Sequence, residues 1–460
     1  MMSMMCGLGA CYCDIKGGSV MSDVKFDAVI VGSGIGGMCA AAQLTGAGKK
    51  VLIVEKSPYL GGRCSHRVRE ETKVTTGALM IPMGPSSAIK QAFDAVGATM
   101  DMVDLTGRMR YRLAHGDFDL PVGGGGLYSM IEFAMQDESH ASAFFKHVQN
   151  ALFNWTPLNT ITILEWFDQY TDNQEVKNLF QGYCAALMGI GMHEVPAGEF
   201  FNFLKHSSKG TRFGMATHGN GDLMEALAAA MAKRGTEVRT KTGCKQILIE
   251  GGVVTGIEVN NSDGNDEIIQ ADIVISNAGP DRTVELAGGQ SLFEQSYIKR
   301  LQANSTEAPI MHFSFLMDEP LIPDFKGCMV FGNNKNFIYL EIPSEISPSI
   351  SPKGRVLHTA YGAAVDAAIP DLKAELEVML QELEDNFPGM TEKAEFLVKA
   401  KHRGSAPAMR RWAGYGMPVN TPIRGLYNVG DGCAPAGTIG TESAAESARD
   451  AVMMILRQTT

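Results

Sequence analysis

Glycines at 32, 34 and 37, an acid at 55 and a second glycine pair at 61 and 62 have the types and spacing of a site for a dinucleotide's phosphates and ribose. In the run Gly32-Ser33-Gly34-Ile35-Gly36-Gly37, Gly32 permits a tight turn, Gly34 lets the backbone approach a pyrophosphate, and Gly37 lets the following helix lie close to the strand. The first turn of that helix offers unpaired amides and a positive dipole end, so an anion needs no basic side chain from the loop. Glu55, followed by Lys56, is placed to accept from both ribose hydroxyls, and its carboxylate disfavours a 2′-phosphate. Gly61-Gly62-Arg63 adds a second amide-rich turn with a fixed cation.

Such a site needs strands to hold its turns, and the hydrophobic pattern provides them. Apolar runs predict strands over 26–31 and 51–54 with a helix to Leu44 between them, then a helix over 86–96. From 143 to 204 the period becomes helical and aromatic, with Phe144, Phe145, Phe153, Trp155, Trp166, Phe167 and Tyr170 among polar spacers. A helix over 223–233 follows the glycine-rich 218–222 loop, and strands are predicted at 237–238, 245–250, 253–260, 267–270 and 273–276. Further strands are expected at 309–317, 327–331, 337–342 and 355–361, then a helix over 372–387, a strand and turn at 425–432, and a last helix through Leu456.

The chain has 460 residues, 45% of them hydrophobic, which is enough for two cored domains. With 40 Lys and Arg against 51 Asp and Glu, the net charge of −11 excludes the basic footprint of a nucleic-acid binder. No run reaches the roughly 18 apolar residues of a membrane span. The scattered cysteines at 39, 64, 184, 244, 328 and 433 suit a reducing cytoplasm. Residues 1–21, with Cys6, Cys11 and Cys13, lack the pattern of a secretory signal and are expected to be a disordered extension; a cysteine-held metal is the sharper alternative.

Three blocks, 29–63, 219–277 and 425–451, occur in the order and spacing of one family: the chain resembles the FAD-dependent phytoene desaturase group within the flavin amine oxidase superfamily. The resemblance implies an α/β fold, a Rossmann-like FAD-binding domain assembled from discontinuous segments (22–100, 211–290 and 406–460), and an α+β substrate domain from 101–210, mainly helical, and 291–405. It also implies that FAD is held by Glu55 at the adenosine ribose, by Arg63 near the flavin or its phosphates, and by Thr76, Gly77 and Ala78 at the flavin edge. Cys244 would stand where the family's backbone meets adenine, and Gly430 and Asp431 would lie at the ribityl and phosphate region. Independently of the family, the turn 437–440, with Ile439 and Gly440, opens a helix whose N-terminus would face the flavin pyrimidine.

The reaction implied is oxidation, reduction or isomerisation of a carbon–carbon bond in an isoprenoid or other lipid-like substrate, with oxidation of an amine as the alternative. The chain carries Ala434-Pro435-Ala436-Gly437 where the family's bacterial members show Pro-Gly-Ala-Gly, which leaves a smaller or more polar substrate open. No catalytic base stands out; His218 is a candidate or a loop histidine satisfying its neighbours. Cys64 and Cys433 read as redox thiols or as small buried fillers. Trp412 and Tyr415 could form an aromatic cage favouring amines or belong to the core. The ten histidines form no metal-binding pattern, so no metal is expected, and the aromatic stretch 143–167 admits peripheral membrane contact. The sequence leaves the oligomeric state open.

Overall fold

The computed structural model describes residues 20–121, 125–208, 212–260 and 266–458. Its first sheet has the strand order Glu237–Arg239, Val51–Val54, Val20–Val31, Asp266–Ser276, Val253–Asn260, Gly243–Glu250, with Leu426–Asn428 also paired to Asp266–Ser276. The strands of its centre run parallel, and Val51–Val54 is buried throughout, the pattern of a sheet covered on both faces. Helix Ile35–Gly46 lies against it; Ala40, Ala41 and Ala42 keep the approach close, and all three are fully buried. The last helix, Gly440–Gln458, joins the same core through Ala444, Ala445, Ala448 and Ala451.

The second sheet is almost wholly antiparallel, in the order Glu395–His402, Ile310–Met317, Val356–Gly362, Phe337–Glu341, Cys328–Phe331, Met109–Leu113, Gly116–Asp119. Helix Leu372–Asn386 covers one face, packing Met379 and Leu383 among Phe313, Phe315 and Phe337. Five helices between Gly126 and Ser207 cover the other, bringing Phe180, Cys184 and Met188 toward Tyr111, Val330 and Tyr339. The aromatic stretch is thus cut into several helices, one of them restarted by a capping box in which Thr162 and Glu165 bond each other's backbone amides.

Two expectations are corrected. The first strand begins at Val20 rather than 26, pairing Val20 with Glu267 and Met21 with Ile268, so the end of the expected 1–21 extension belongs to the sheet. Cys6, Cys11 and Cys13 lie outside the described residues. The strands expected at 267–270 and 273–276 are one strand: Asp272, between them, stands exposed and pairs with Lys25 at 2.6 Å, so its charge requires no break.

Candidate functional site

A cavity of about 810 Å³ runs from the carboxyl ends of the first sheet's parallel strands to the second sheet, near the top of the ~300–1,000 Å³ usual for ligand and cofactor sites. Of the expected site residues, Gly32, Gly34, Ile35, Gly36, Glu55, Lys56, Gly62, Arg63, Thr76, Gly77, Ala78, Cys244, Gly430, Asp431, Ile439 and Gly440 line it. Ser33 and Gly37 stand immediately behind the wall. Residues more than 400 positions apart in the chain therefore converge on one space.

Glycine is required here for close approach. A Cβ on Gly36 would meet Gly430 N and the Asn277 side-chain amide at 2.9 Å and Ala444 O at 3.0 Å, and one on Gly37 would strike the Gly32 carbonyl oxygen. The two glycine motifs abut, Gly61 N donating to Ser33 O at 3.0 Å. Glu55 is buried; its Oε2 accepts from both Ser33 N and Ser33 Oγ at 2.8 Å, and its Oε1 accepts from Ser57 N at 2.8 Å. The acid thus sets the shape of the turn it faces. This narrow, amide-lined cradle fits a pyrophosphate.

Farther along, Arg63 and Asp431 form a bidentate pair at 2.8 and 2.5 Å. Arg63 also donates to the carbonyls of Pro407 and Ala408, and Arg410 N donates to Asp431 at 2.9 Å. Burial alone would raise the Asp431 carboxyl, but the Arg63 guanidinium more than reverses it and holds it below the usual range. The pair is a fixed polar partition linking the turn at 61–63 to the turn at 430–432 rather than a surface salt bridge.

At the second sheet the wall changes character. Leu79, Met80, Leu187, Phe203, Ile310 and Ile338 are joined by Tyr339, Tyr361, His312 and His402. Burial, then the neighbouring His402, brings His312 down to about 3, and burial lowers His402 as well, so both rings are neutral at pH 7. The Tyr361 hydroxyl donates to Gly77 O at 2.5 Å, tying this wall to the turn at 76–78. On the other side Glu442, in the first turn of Gly440–Gln458, accepts from Ser87 Oγ; burial, with Glu446 next, pushes it up to about 7.

A sequence model for flavin containing amine oxidoreductases matches residues 35–456. The chain belongs to that family. Its cofactor is FAD: the family carries a flavin, and the glycine cradle with Glu55 is one for a dinucleotide. Relatives of this flavin oxidoreductase include the chloroplastic prolycopene isomerase of Daucus carota, 23% identical over 89% of this chain and 77% of that protein. The phytoene desaturase of Fusarium fujikuroi is 24% identical over 73% of this chain and 65% of its own length. Among solved structures, an oxidoreductase from Methanosarcina mazei superposes with a TM-score of 0.81, covering 94% of this chain and 99% of that one at 22% identity.

Several expected residues take other places. His218 lies outside the cavity, its Nδ1 3.0 Å from Ser349 Oγ. Trp412 and Tyr415 form a perpendicular ring pair at 6.0 Å and neither lines the cavity, so the aromatic cage is not formed; Trp412 Nε1 donates to Glu307 O instead. Cys64 does line the cavity, but burial pushes its thiol up to about 12 and raises Cys433 further, so both are neutral thiols rather than thiolates. Among the described residues, His206, Glu442 and Glu446 bring potential ligand atoms within 4.8 Å of one another, though Glu446 is paired with Arg449.

Two residues escaped the sequence reading. Asn277, in the amide orientation that satisfies both groups, accepts from Gly34 N at 3.1 Å and donates to Val429 O at 3.2 Å. Its signal was its position, a polar residue just beyond the carboxyl end of a parallel strand, where open α/β sheets bind ligands. Glu199 accepts from Gly437 N at 2.6 Å and so steers the turn before the last helix from the helical layer; nothing in its local sequence marks it.

Proposed function

We propose that this flavin oxidoreductase oxidises, reduces or isomerises a carbon–carbon bond of an isoprenoid or similar lipid-like substrate. The observation that carries the reading is the continuity of one cavity from the glycine cradle to an apolar wall on the second sheet. The names of the carrot and fungal relatives support it. In this reading Gly32 to Gly37, Glu55, Lys56 and Cys244 hold the adenosine and pyrophosphate. Gly62, Arg63, Thr76, Gly77, Ala78, Gly430, Asp431, Ile439 and Gly440 hold the flavin portion, and the division into flavin and substrate domains follows the two sheets. FAD, when bound, supplies two-electron exchange with a substrate C–H. The chain's own contribution is placement and dryness: Leu79, Met80, Leu187, Phe203 and Ile338 exclude water and orient an apolar skeleton.

Holoprotein mixed anaerobically with phytoene or with cis-lycopene, in oxidised and in dithionite-reduced form, is expected to change the polyene spectrum or its cis/trans pattern on chromatography. Bleaching of the oxidised flavin by a polyamine or aryl amine, with both polyenes unchanged, would overturn the reading in favour of amine oxidation.

We also propose that the protein draws its substrate from a membrane surface. Among the described residues no helix is long and apolar enough to cross a bilayer. Phe153, Trp155 and Leu158 nevertheless stand about three-quarters exposed on one short segment beside the helical layer, the kind of aromatic and aliphatic group that enters a lipid interface. Liposome flotation should fall with Trp155→Glu; equal flotation of the two proteins removes the idea.

A further inference from the structure

Strand Phe337–Glu341 carries an acid where the core is driest. Glu341 is fully buried, its Oε1 has no partner, and its Oε2 meets one group, the Tyr339 hydroxyl at 3.3 Å. No cation faces it. Its cross-strand partners are Cys328 on one side and Thr359 on the other, and the near titratable groups are Tyr339, Tyr361 and Cys328, all neutral when protonated. A lone carboxylate in such a place is strongly disfavoured, and burial pushes Glu341 up to about 8. Tyr339 lies between this acid and the cavity: it lines the wall, while Glu341 stands behind it. The register shift between Phe337 and Tyr339 is what lets both Ile338 and Tyr339 reach the same wall.

We propose that Tyr339, backed by Glu341, is a hydrogen-bond donor to the molecule held at the apolar end of the cavity, so that an isoprenoid bearing an oxygen or nitrogen acceptor is held there more tightly than a bare hydrocarbon of the same skeleton. The inference rests on the isoprenoid reading above and narrows it. The tyrosine has one proton. A carboxylate at 341 must take it, whereas a carboxylic acid at 341 donates to the tyrosine oxygen and leaves that proton to the occupant, with the weakly accepting Cys328 sulfur as its one competitor beside it. No covalent bond changes; the protonation of Glu341 decides which way the hydroxyl donates.

The test is the affinity of FAD-loaded protein for farnesal and for farnesene, C15 probes with and without a carbonyl oxygen, followed by quenching of flavin fluorescence. Tyr339→Phe should weaken farnesal roughly tenfold, the size of a lost hydrogen bond, and leave farnesene unchanged. Wild-type affinity for farnesal should decline as pH rises through about 8, and Glu341→Gln, whose amide still donates to the tyrosine, should hold farnesal without that decline. Unchanged farnesal binding in Tyr339→Phe, equal losses for both probes, or a wild-type affinity flat across that range would overturn the inference. Infrared spectroscopy decides it without a ligand. The C=O stretch of a protonated buried acid must disappear in Glu341→Gln beyond what Glu442→Gln removes, and its persistence overturns the inference. Should neither probe bind while that band is present, the isoprenoid reading falls and the buried acid stands.

Discussion

The glycine end of the cavity presents backbone amides, a buried carboxylate and a locked Arg63–Asp431 pair, whereas the end beneath the second sheet presents rings, thioethers and neutral imidazoles. At the first end recognition comes from backbone that must approach within van der Waals distance, so a single added carbon is intolerable. At the second it comes from shape and exclusion of water, where one apolar side chain can stand in for another. The contrast shows how a family can keep one cofactor and change its substrates.

The contrast breaks if both ends respond alike. Gly36→Val, whose Cβ meets groups from three separate segments, should cost ~3 kcal/mol or more and abolish FAD retention, while Met80→Leu at the apolar end should cost less than ~1.5 kcal/mol. Urea midpoints and flavin absorbance after gel filtration measure both; equal losses would contradict the comparison. Asp431→Ala leaves Arg63 in a largely enclosed site without its carboxylate and should destabilise by ~3–5 kcal/mol, with part of the loss recovered in the Arg63→Ala, Asp431→Ala double variant. Additive losses would show that the partition is no pair.

Titration sharpens the same contrast. Glu442 is raised to about 7, so the folded protein keeps a proton that the unfolded chain releases near pH 4.5. That contribution is complete below the unfolded value and is lost as pH rises through 7. Between pH 5 and 8 wild type should lose about 3 kcal/mol relative to Glu442→Gln, measured by chemical denaturation across pH; parallel curves would rule this out. Smallest of the four, Glu55→Ala should weaken FAD retention by ~1–3 kcal/mol, and its double hold on Ser33 predicts a looser turn as well, read as faster amide exchange at 33 and 34.

The same division explains what could be read from residues alone. The turn at 32–37, Glu55 and the Arg63 turn are local: their meaning lies in spacing within one strand–helix–strand unit, and all of them meet at the cavity. Asn277 and Glu199 act across separations that only the folded chain closes; Glu199 reaches Gly437 over 238 positions. The run Phe337 to Glu341 reads as an ordinary apolar strand, and its acid looks like the strand's exposed end until the sheet closes over it. Trp412 and Tyr415 misled because nearness to a flavin motif in sequence placed them beside it in expectation, whereas their rings pack against each other and the Glu307 backbone.

Arg63 and Asp431 are 368 positions apart, and the strand Leu426–Asn428 adds to the same sheet as Val20–Val31 through Asp266–Ser276. On the ribosome, the N-terminal turn therefore emerges long before its partners are translated, with the guanidinium uncompensated and one flank of the central strand bare. A nascent polypeptide stalled before residue 426 is an apolar sheet with an open side, the form that chaperones would have to shield.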